Sequence, residues 1–278
     1  MLKLMYITNE TDIAEIAQNA GVDRIWIDLE VNGKEERQKN MDTVKSKHSI
    51  NDVGKIKKVL SKSDLIVRVN PIYEGSREEI DTVINQGADI VMLPFFKTAK
   101  EVKTFIDLVN KRAKICLLCE TPEAVENLDE ILEIPGIDEI HIGLNDLHLG
   151  YHKKFMFELL ADGTVEKICN KIREKGIPYG FGGISRIGSG TLKAENIITE
   201  HYRLGSEIAI LSRAFCNTQI ITDREEIKNI FDKEVKNIRN FEKQLTNFTK
   251  EQFNENHEEV KLMVNNILKN MWGKNGKI

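Results

Sequence analysis

The chain is organised by a strand-then-helix rhythm. Short apolar, β-rich runs occur at Lys3–Thr8, Arg24–Glu30, Leu65–Asn70, Ile90–Pro94, Lys114–Glu120, Glu139–Asn145, Pro178–Gly183 and Ile208–Phe215. Amphipathic patterns of helical period lie between them, at Thr11–Ala20, Ser49–Ser61, Ser76–Gln86, Thr98–Lys111, Pro122–Leu132, Thr164–Lys175 and Ala194–Leu204. Gly21, Gly87, Gly176 and Gly205 follow helices, where a left-handed residue ends the last turn. Ser49 and Asp52 form a capping-box pattern with Asp in place of Glu. Alternating strands and helices argue a parallel sheet with crossover helices. Eight such strands predict an α/β fold of the (β/α)8 TIM barrel type, carrying a C-terminal helical extension.

Composition narrows the function classes. A formal net charge of -4 over 278 residues carries no basic footprint for nucleic acid. No apolar run reaches membrane-spanning length, and the N-terminus lacks a signal-peptide pattern. The expectation is a cytoplasmic protein acting on a small molecule, with no nucleic acid and no membrane as partner. Four irregularly spaced cysteines make no disulfide framework. Cys116 and Cys119 sit three apart in a strand pattern, so they point to opposite faces and read as core residues.

Two inserts interrupt the rhythm. Val31–His48 is long, polar and charged, and Leu147–Gly163 contains Phe155, Met156 and Phe157, which cover a pocket or pack on the rim. Residues 1–222 are expected to form the catalytic barrel and 223–278 the extension. In the extension, Phe231, Val235, Ile238, Phe241, Leu245 and Phe248 recur at helical steps, and a second helix is expected at Val260–Met271. Such an apolar stripe outruns the needs of one barrel helix and predicts an arm for homo-oligomer assembly.

In barrels of this kind the reacting groups gather at the carboxyl ends of the strands. Those ends supply Asp28 and Glu30, then Arg68, Glu120 and Asp146. Trp26, Asp28 and Glu30 share one face by the two-residue period and are expected to point inward; Ile25, Ile27 and Leu29 share the other. Glu120 and Asp146, with waters, would leave open positions on an octahedral Mg²⁺, Mn²⁺ or Co²⁺. A 2-oxo acid could fill two of them while Arg68 forks onto the same oxygens. In the competing reading the two acids cap helices or pair with lysines. No lysine falls at a predicted inner strand end, which argues against a Schiff-base aldolase. His141 is offset from the inward parity counted back from Asp146 and is expected to pack against the helices. His148 and His152 read as loop residues. His48 is either a proton-transfer group swung over the site or an exposed residue ahead of a helix. Arg186, Arg213 and the backbone of Gly180–Gly183 are candidates for binding an anionic tail, though either arginine could equally pair with a rim acid.

Four motifs in order give the chain a family resemblance: Asp23-Arg-Ile-Trp-Ile-Asp-Leu-Glu30, Val67-Arg-Val-Asn-Pro71, Gly87-Ala-Asp-Ile-Val-Met-Leu-Pro94, and Glu120-Thr-Pro-Glu-Ala-Val-Glu-Asn-Leu-Asp-Glu-Ile131. A fifth, Ile134-Pro-Gly-Ile-Asp-Glu-Ile-His-Ile-Gly-Leu-Asn-Asp-Leu147, looks like a second metal-ligand loop. Together they resemble the HpcH/HpaI aldolase and citrate lyase beta-subunit family, over roughly Ile7 to Phe215. The resemblance implies a barrel of the phosphoenolpyruvate/pyruvate superfamily and divalent-metal lyase or aldolase chemistry through a pyruvate- or acetyl-type enolate. It also implies oligomers that often exchange a C-terminal helix. On the motif match Glu120 and Asp146 would be the metal ligands and Arg68 the enolate-stabilising cation. Asp28 and Glu30 would lie near the metal waters. Apart from the motif match, Arg68, Gly143, Asn145 and Arg213 are expected to contact substrate, although the strand end Ser212-Arg-Ala-Phe215 matches neither branch of the family.

The departures define the alternatives. Val31 stands where the aldolases of the family place a histidine and the citrate-lyase branch a further acid. The metal loop reads Gly143-Leu-Asn-Asp146 in place of Gly-Pro-Ala-Asp. The leading expectation is a metal-dependent aldolase or lyase acting beside a 2-oxo acid. An acyl-CoA lyase of the citrate or malyl type is the first alternative, favoured by Asp28-Leu-Glu30. A catalytically silent barrel used for binding or assembly is the second.

Overall fold

The structure, a computed structural model, describes residues 1–32 and 48–275. Most of the first insert therefore lies outside the described residues. Eight parallel strands close in sequence order: β1 (Lys3–Ile7), β2 (Arg24–Asp28), β3 (Asp64–Arg68), β4 (Ile90–Leu93), β5 (Lys114–Cys119), β6 (Glu139–Ile142), β7 (Tyr179–Ile184) and β8 (Ile208–Leu211). The predicted (β/α)8 barrel is the observed one, with C-terminal helices after it. No helix among the described residues is long and apolar enough to cross a membrane. By contacts the chain divides into two compact units, Lys3–His141 and Ile142–Ile278 together with Met1–Leu2.

The first unit carries α1 (Thr11–Ala20), α2 (Ile50–Val59), α3 (Ser76–Asn85), α4 (Ala99–Val109), α5 (Pro122–Glu126) and α6 (Leu128–Leu132). Their limits follow local chemistry. Asp52 accepts the Ser49 backbone N–H at 2.8 Å, completing the box expected at the start of α2. Thr98 and Glu101 make another at α4. Gly21 ends α1 at φ 96°, a conformation costly for any residue with a Cβ. The single helix expected over Pro122–Leu132 is two short ones, parted at Asn127.

Inside this unit the β2–β3 register pairs Trp26 with Ile66 and Asp28 with Arg68. Arg24 on β2 reaches Glu139 on β6 through two bonds of 2.6 and 2.7 Å, both residues being almost fully buried. A pair between non-neighbouring strands has to cross the barrel interior. Glu139 therefore points inward, and by the two-residue period so does His141. This corrects the expectation that His141 packs against the helices. Parity counted back from Asp146 fails because β6 stops at Ile142 and Gly143 caps a helix, so the period of two does not run through.

The second unit holds α7 (Leu144–Gly150), α8 (Glu158–Ala161), α9 (Thr164–Glu174), α10 (Ala194–Leu204), α11 (Arg224–Leu245) and α12 (Lys250–Asn275). Leu144, Leu147 and His148 are buried at helical spacing, so the segment expected to extend the sixth strand is helical instead. Gly180 has a sheet-packing cause: a Cβ there would sit 2.0 Å from the Ile208 carbonyl oxygen, where the β7–β8 register shifts. Ile227, Phe231, Val235, Ile238 and Leu245 form the buried stripe of α11, and Phe231 meets Phe215 edge-on at 5.3 Å.

Polar clamps hold both C-terminal helices to their own chain. Glu242, fully buried, accepts the Leu2 backbone N–H at 2.6 Å and the Tyr202 hydroxyl at 3.1 Å, and pairs with Arg239 at 2.8 Å. Glu200, equally buried, takes Arg203, His257 and Asn256 at 2.9–3.0 Å and so ties α12 to α10.

The Arg24–Glu139 pair gives a stability prediction. Arg24→Met alone strands a buried carboxylate and should cost about 3–5 kcal/mol, whereas Arg24→Met with Glu139→Leu should recover most of that loss. Urea denaturation of the two variants measures the difference; equal losses would contradict it.

Candidate active site

Chemistry concentrates where β2 and β3 end. Asp28 closes β2 and Arg68 closes β3, at directly paired positions. Arg68 Nε and Nη2 each donate to Asp28 at 2.8 Å, a bidentate fork. Arg68 Nη1 lies 3.3 Å from Glu30 Oε2. The Asp28 and Glu30 side chains are 2% and 1% exposed and that of Arg68 is 11% exposed. The guanidinium also lies over the Trp26 ring, 5.3 Å from its centroid. Sequence parity thus places Trp26, Asp28 and Glu30 correctly on one face. Burial opposes the charge of Arg68, but Asp28, Glu30 and Glu120 together outweigh it and the pKa is raised. Arg68 is a permanent cation.

Glu120 follows β5, is 3% exposed, and accepts the Phe95 backbone N–H at 3.1 Å. Phe95 follows β4 and carries φ 49°, a left-handed conformation that costs a non-glycine residue on the order of 1–2 kcal/mol. Such strain persists only where surrounding structure enforces it, and it gathers at functional sites. Here it aims an amide at the Glu120 carboxylate. Nothing in the Pro94-Phe-Phe96 sequence announces this.

Below this level His141 is buried, and its pKa is lowered to about 3, by burial first and then by Arg24 and Arg68. It is neutral at ordinary pH. The His141 Nδ1 and Trp26 Nε1 atoms are buried without a hydrogen-bond partner among the described residues.

His48 is half-buried, and its Nδ1 accepts the Asp28 backbone N–H at 2.9 Å. The reading of an exposed residue ahead of a helix is therefore set aside. The bond has a chemical consequence. With the Nδ1 lone pair engaged, a neutral ring carries its proton on Nε2. His48 presents a donor at Nε2, and its Nδ1 is not available as a base.

In the second unit, Gly143 is the N-cap of α7, and Asn145 and Asp146 lie in its first turn. An acid in a first turn is also favoured by the helix dipole alone. Asn145 is exposed and Asp146 half-buried. His148 is buried with Nδ1 3.2 Å from the Leu144 carbonyl oxygen, and His152 is an exposed residue at φ 56°. Arg186 Nε donates to the Phe215 carbonyl at 2.6 Å, tying the loop after β7 to the loop after β8. Arg213 is exposed. A surface groove of 440 Å³ runs from Arg186 along Asp223, Glu226 and Lys233 and contains none of the predicted catalytic residues.

The residues brought together are therefore Asp28, Glu30 and Arg68, with Glu120 in electrostatic reach and His48 against the β2 backbone. Among the described residues no group of three or more His, Cys, Asp or Glu side chains is arranged to hold a metal ion. Two carboxylates completed by waters form a smaller set than that. The donor chemistry suits a hard cation: Asp28, Glu30 and Glu120 are buried carboxylates at strand ends and offer oxygen ligands.

Sequence asparagine and glutamate positions that the motif reading passed over also belong here. Asn70 and Glu79 form a buried pair next to Val31. Their signal in the sequence is the Asn70-Pro71 step just beyond β3.

Comparison with known proteins agrees with this architecture. Residues 3–186 match the family model for HpcH/HpaI aldolase/citrate lyase. A 2-keto-3-deoxy-L-rhamnonate aldolase of Shigella dysenteriae is 28% identical over 145 residues, 41% of this chain and 54% of that protein. A (3S)-malyl-CoA thioesterase of Cereibacter sphaeroides is 27% identical over 173 residues, 60% of this chain and 56% of that protein. The chain thus spans about half the length of the curated relatives it matches. Among solved structures, an HpcH/HpaI aldolase/citrate lyase family protein from Burkholderia cenocepacia superposes with a TM-score of 0.62 at 14% identity, covering 82% of this chain and 94% of that one. The citrate synthase SbnG gives 0.60 at 16% identity, covering 83% and 94%. At such identities the two structures speak to the fold alone. With the barrel, the ordered motifs and a family match over residues 3–186, the chain belongs to the HpcH/HpaI aldolase/citrate lyase family.

Proposed function

We propose that the protein is a divalent-metal-dependent aldolase or lyase that makes or breaks a carbon–carbon bond beside a 2-oxo acid, through a pyruvate-type enolate. The observation that supports this reading is the buried Asp28–Arg68–Glu30 cluster at the ends of β2 and β3, in a chain whose residues 3–186 match the HpcH/HpaI aldolase/citrate lyase model. On the motif match, Glu120 and Asp146 would hold Mg²⁺, or Mn²⁺ or Co²⁺, and the bound ion would supply Lewis-acid polarisation of a keto oxygen.

The chain's own residues do the rest. Asp28 and Glu30 fix the plane and direction of the Arg68 guanidinium, so its charge is in place before any enolate oxygen develops. His48 is a proposed catalytic group at this strand end, its ring oriented by the Asp28 N–H at Nδ1. Val31 is 61% exposed, and His48 offers an imidazole at the same strand end by way of the Asp28 backbone. Gly143, Asn145 and Arg213 are proposed substrate contacts. An acyl-CoA lyase or thioesterase is the second reading, favoured by the Asp28-Leu-Glu30 triplet and by the malyl-CoA thioesterase relative. Assembly into a homo-oligomer through the C-terminal helices belongs to the same proposal, with Leu262 of α12 65% exposed.

Oxaloacetate decarboxylation and pyruvate proton exchange, assayed with Mg²⁺, Mn²⁺ or Co²⁺ and with chelator, test the reaction. Turnover of acyl-CoA esters alone would select the second reading, and no metal-dependent turnover would favour a silent barrel. Glu120→Gln should weaken Mn²⁺ binding by calorimetry more than about a hundredfold; unchanged affinity would remove Glu120 from the metal site. Arg68→Lys loses the fork and should lower kcat about a hundredfold while Mn²⁺ affinity holds. Normal turnover in that variant would make Arg68 structural. Leu262→Glu should reduce the particle mass measured by light scattering, and an unaltered mass would exclude α12 from the contact.

A further inference from the structure

The backbone that carries the two β2 acids has an acceptor for each successive N–H. Asp28 N–H donates to His48 Nδ1 at 2.9 Å, Leu29 to the Arg68 carbonyl at 2.9 Å, and Glu30 to Asp28 Oδ1 at 3.3 Å. Val31 and Asn32 both donate to one atom, Asn70 Oδ1, at 2.9 and 3.0 Å. Asn70 is 7% exposed. Its Nδ2 donates to Glu79 Oε1 at 2.8 Å, and its own backbone N–H reaches the same carboxylate at 3.3 Å. Glu79 stands on α3 and is 8% exposed.

The polarity of this chain of bonds is not reversible. Backbone N–H groups only donate, so Val31 and Asn32 require the Asn70 amide oxygen to face them, and its NH2 then turns to the Glu79 carboxylate on α3, which also accepts the Asn70 N–H. Two adjacent N–H groups on one oxygen fold the backbone into a tight turn directly after Glu30. That turn sends the Val31 side chain to solvent and leaves Glu30 on the inward face beside Arg68.

We propose that Asn70, oriented by Glu79, is a positioning residue that locks the turn after Glu30 and so holds the Glu30 carboxylate against Arg68. The clamp itself stands on geometry; its effect on catalysis rests on the reaction proposed above.

The test reverses the hydrogen-bond polarity. Asn70→Asp sets a carboxylate against the Glu79 carboxylate. It should speed deuterium exchange at the Val31 and Asn32 amides and lower kcat about tenfold or more, with KM and Mn²⁺ affinity little changed. Adding Glu79→Gln restores one donor facing one acceptor, so the N70D/E79Q protein should regain slow exchange and most of the lost kcat. Asn70→Ala, which has no amide to orient, should not be rescued by Glu79→Gln. Thermal unfolding midpoints of all variants separate a local effect from general loss of fold. Unchanged exchange in N70D would overturn the proposal, as would a double variant no better than N70D. Should the wild-type protein show no metal-dependent turnover, the reaction reading falls by itself, and the exchange data alone decide the clamp.

Discussion

One cation set among buried acids organises the centre of this protein. The Arg68 guanidinium would be prohibitively costly to desolvate by itself, and so would Asp28 and Glu30. Together they satisfy one another through a fork and a flanking contact, and Glu120 adds to the field that keeps Arg68 charged. The surrounding devices keep this group in register. The β2–β3 pairing sets Asp28 opposite Arg68, Trp26 supports the guanidinium from below, His48 engages the β2 edge, and Asn70 closes the turn beyond it.

A second feature is the amount of charge placed inside the barrel. Interiors of such barrels are usually filled by branched apolar side chains. Here Arg24 and Glu139 span the interior, with neutral His141 and the Trp26 indole between them and the strand ends. The lower pair joins one arginine to one acid, whereas in the upper group Arg68 meets both Asp28 and Glu30.

How far the site was legible depended on the range of the interaction. Asp28, Glu30 and Arg68 were readable because a period of two along β2, with acids and an arginine at strand ends, is a local pattern. His141 was misplaced because parity was carried through Gly143 into residues that are helical. Gly180 answers to the carbonyl of Ile208 on a neighbouring strand, which no local pattern reveals. His48 was recognised as a candidate, but its proton assignment follows only from the Asp28 amide that it meets. Phe95, Asn70 and Glu79 were passed over because each acts through a backbone group from another turn of the chain.

The amino-acid order by itself determined the alternation of strands and helices, the capped helix starts, the acids at the strand ends and the family. All of these arise from interactions a few residues long or from motifs in sequence. Tertiary structure alone decided which strand-end groups neutralise each other, which face His141 takes, which nitrogen of His48 holds the proton, and what fixes the turn after Glu30. The physical reason is that charge pairing and hydrogen-bond polarity depend on distances between segments tens of residues apart. Only the closed sheet and the helices packed on it set those distances.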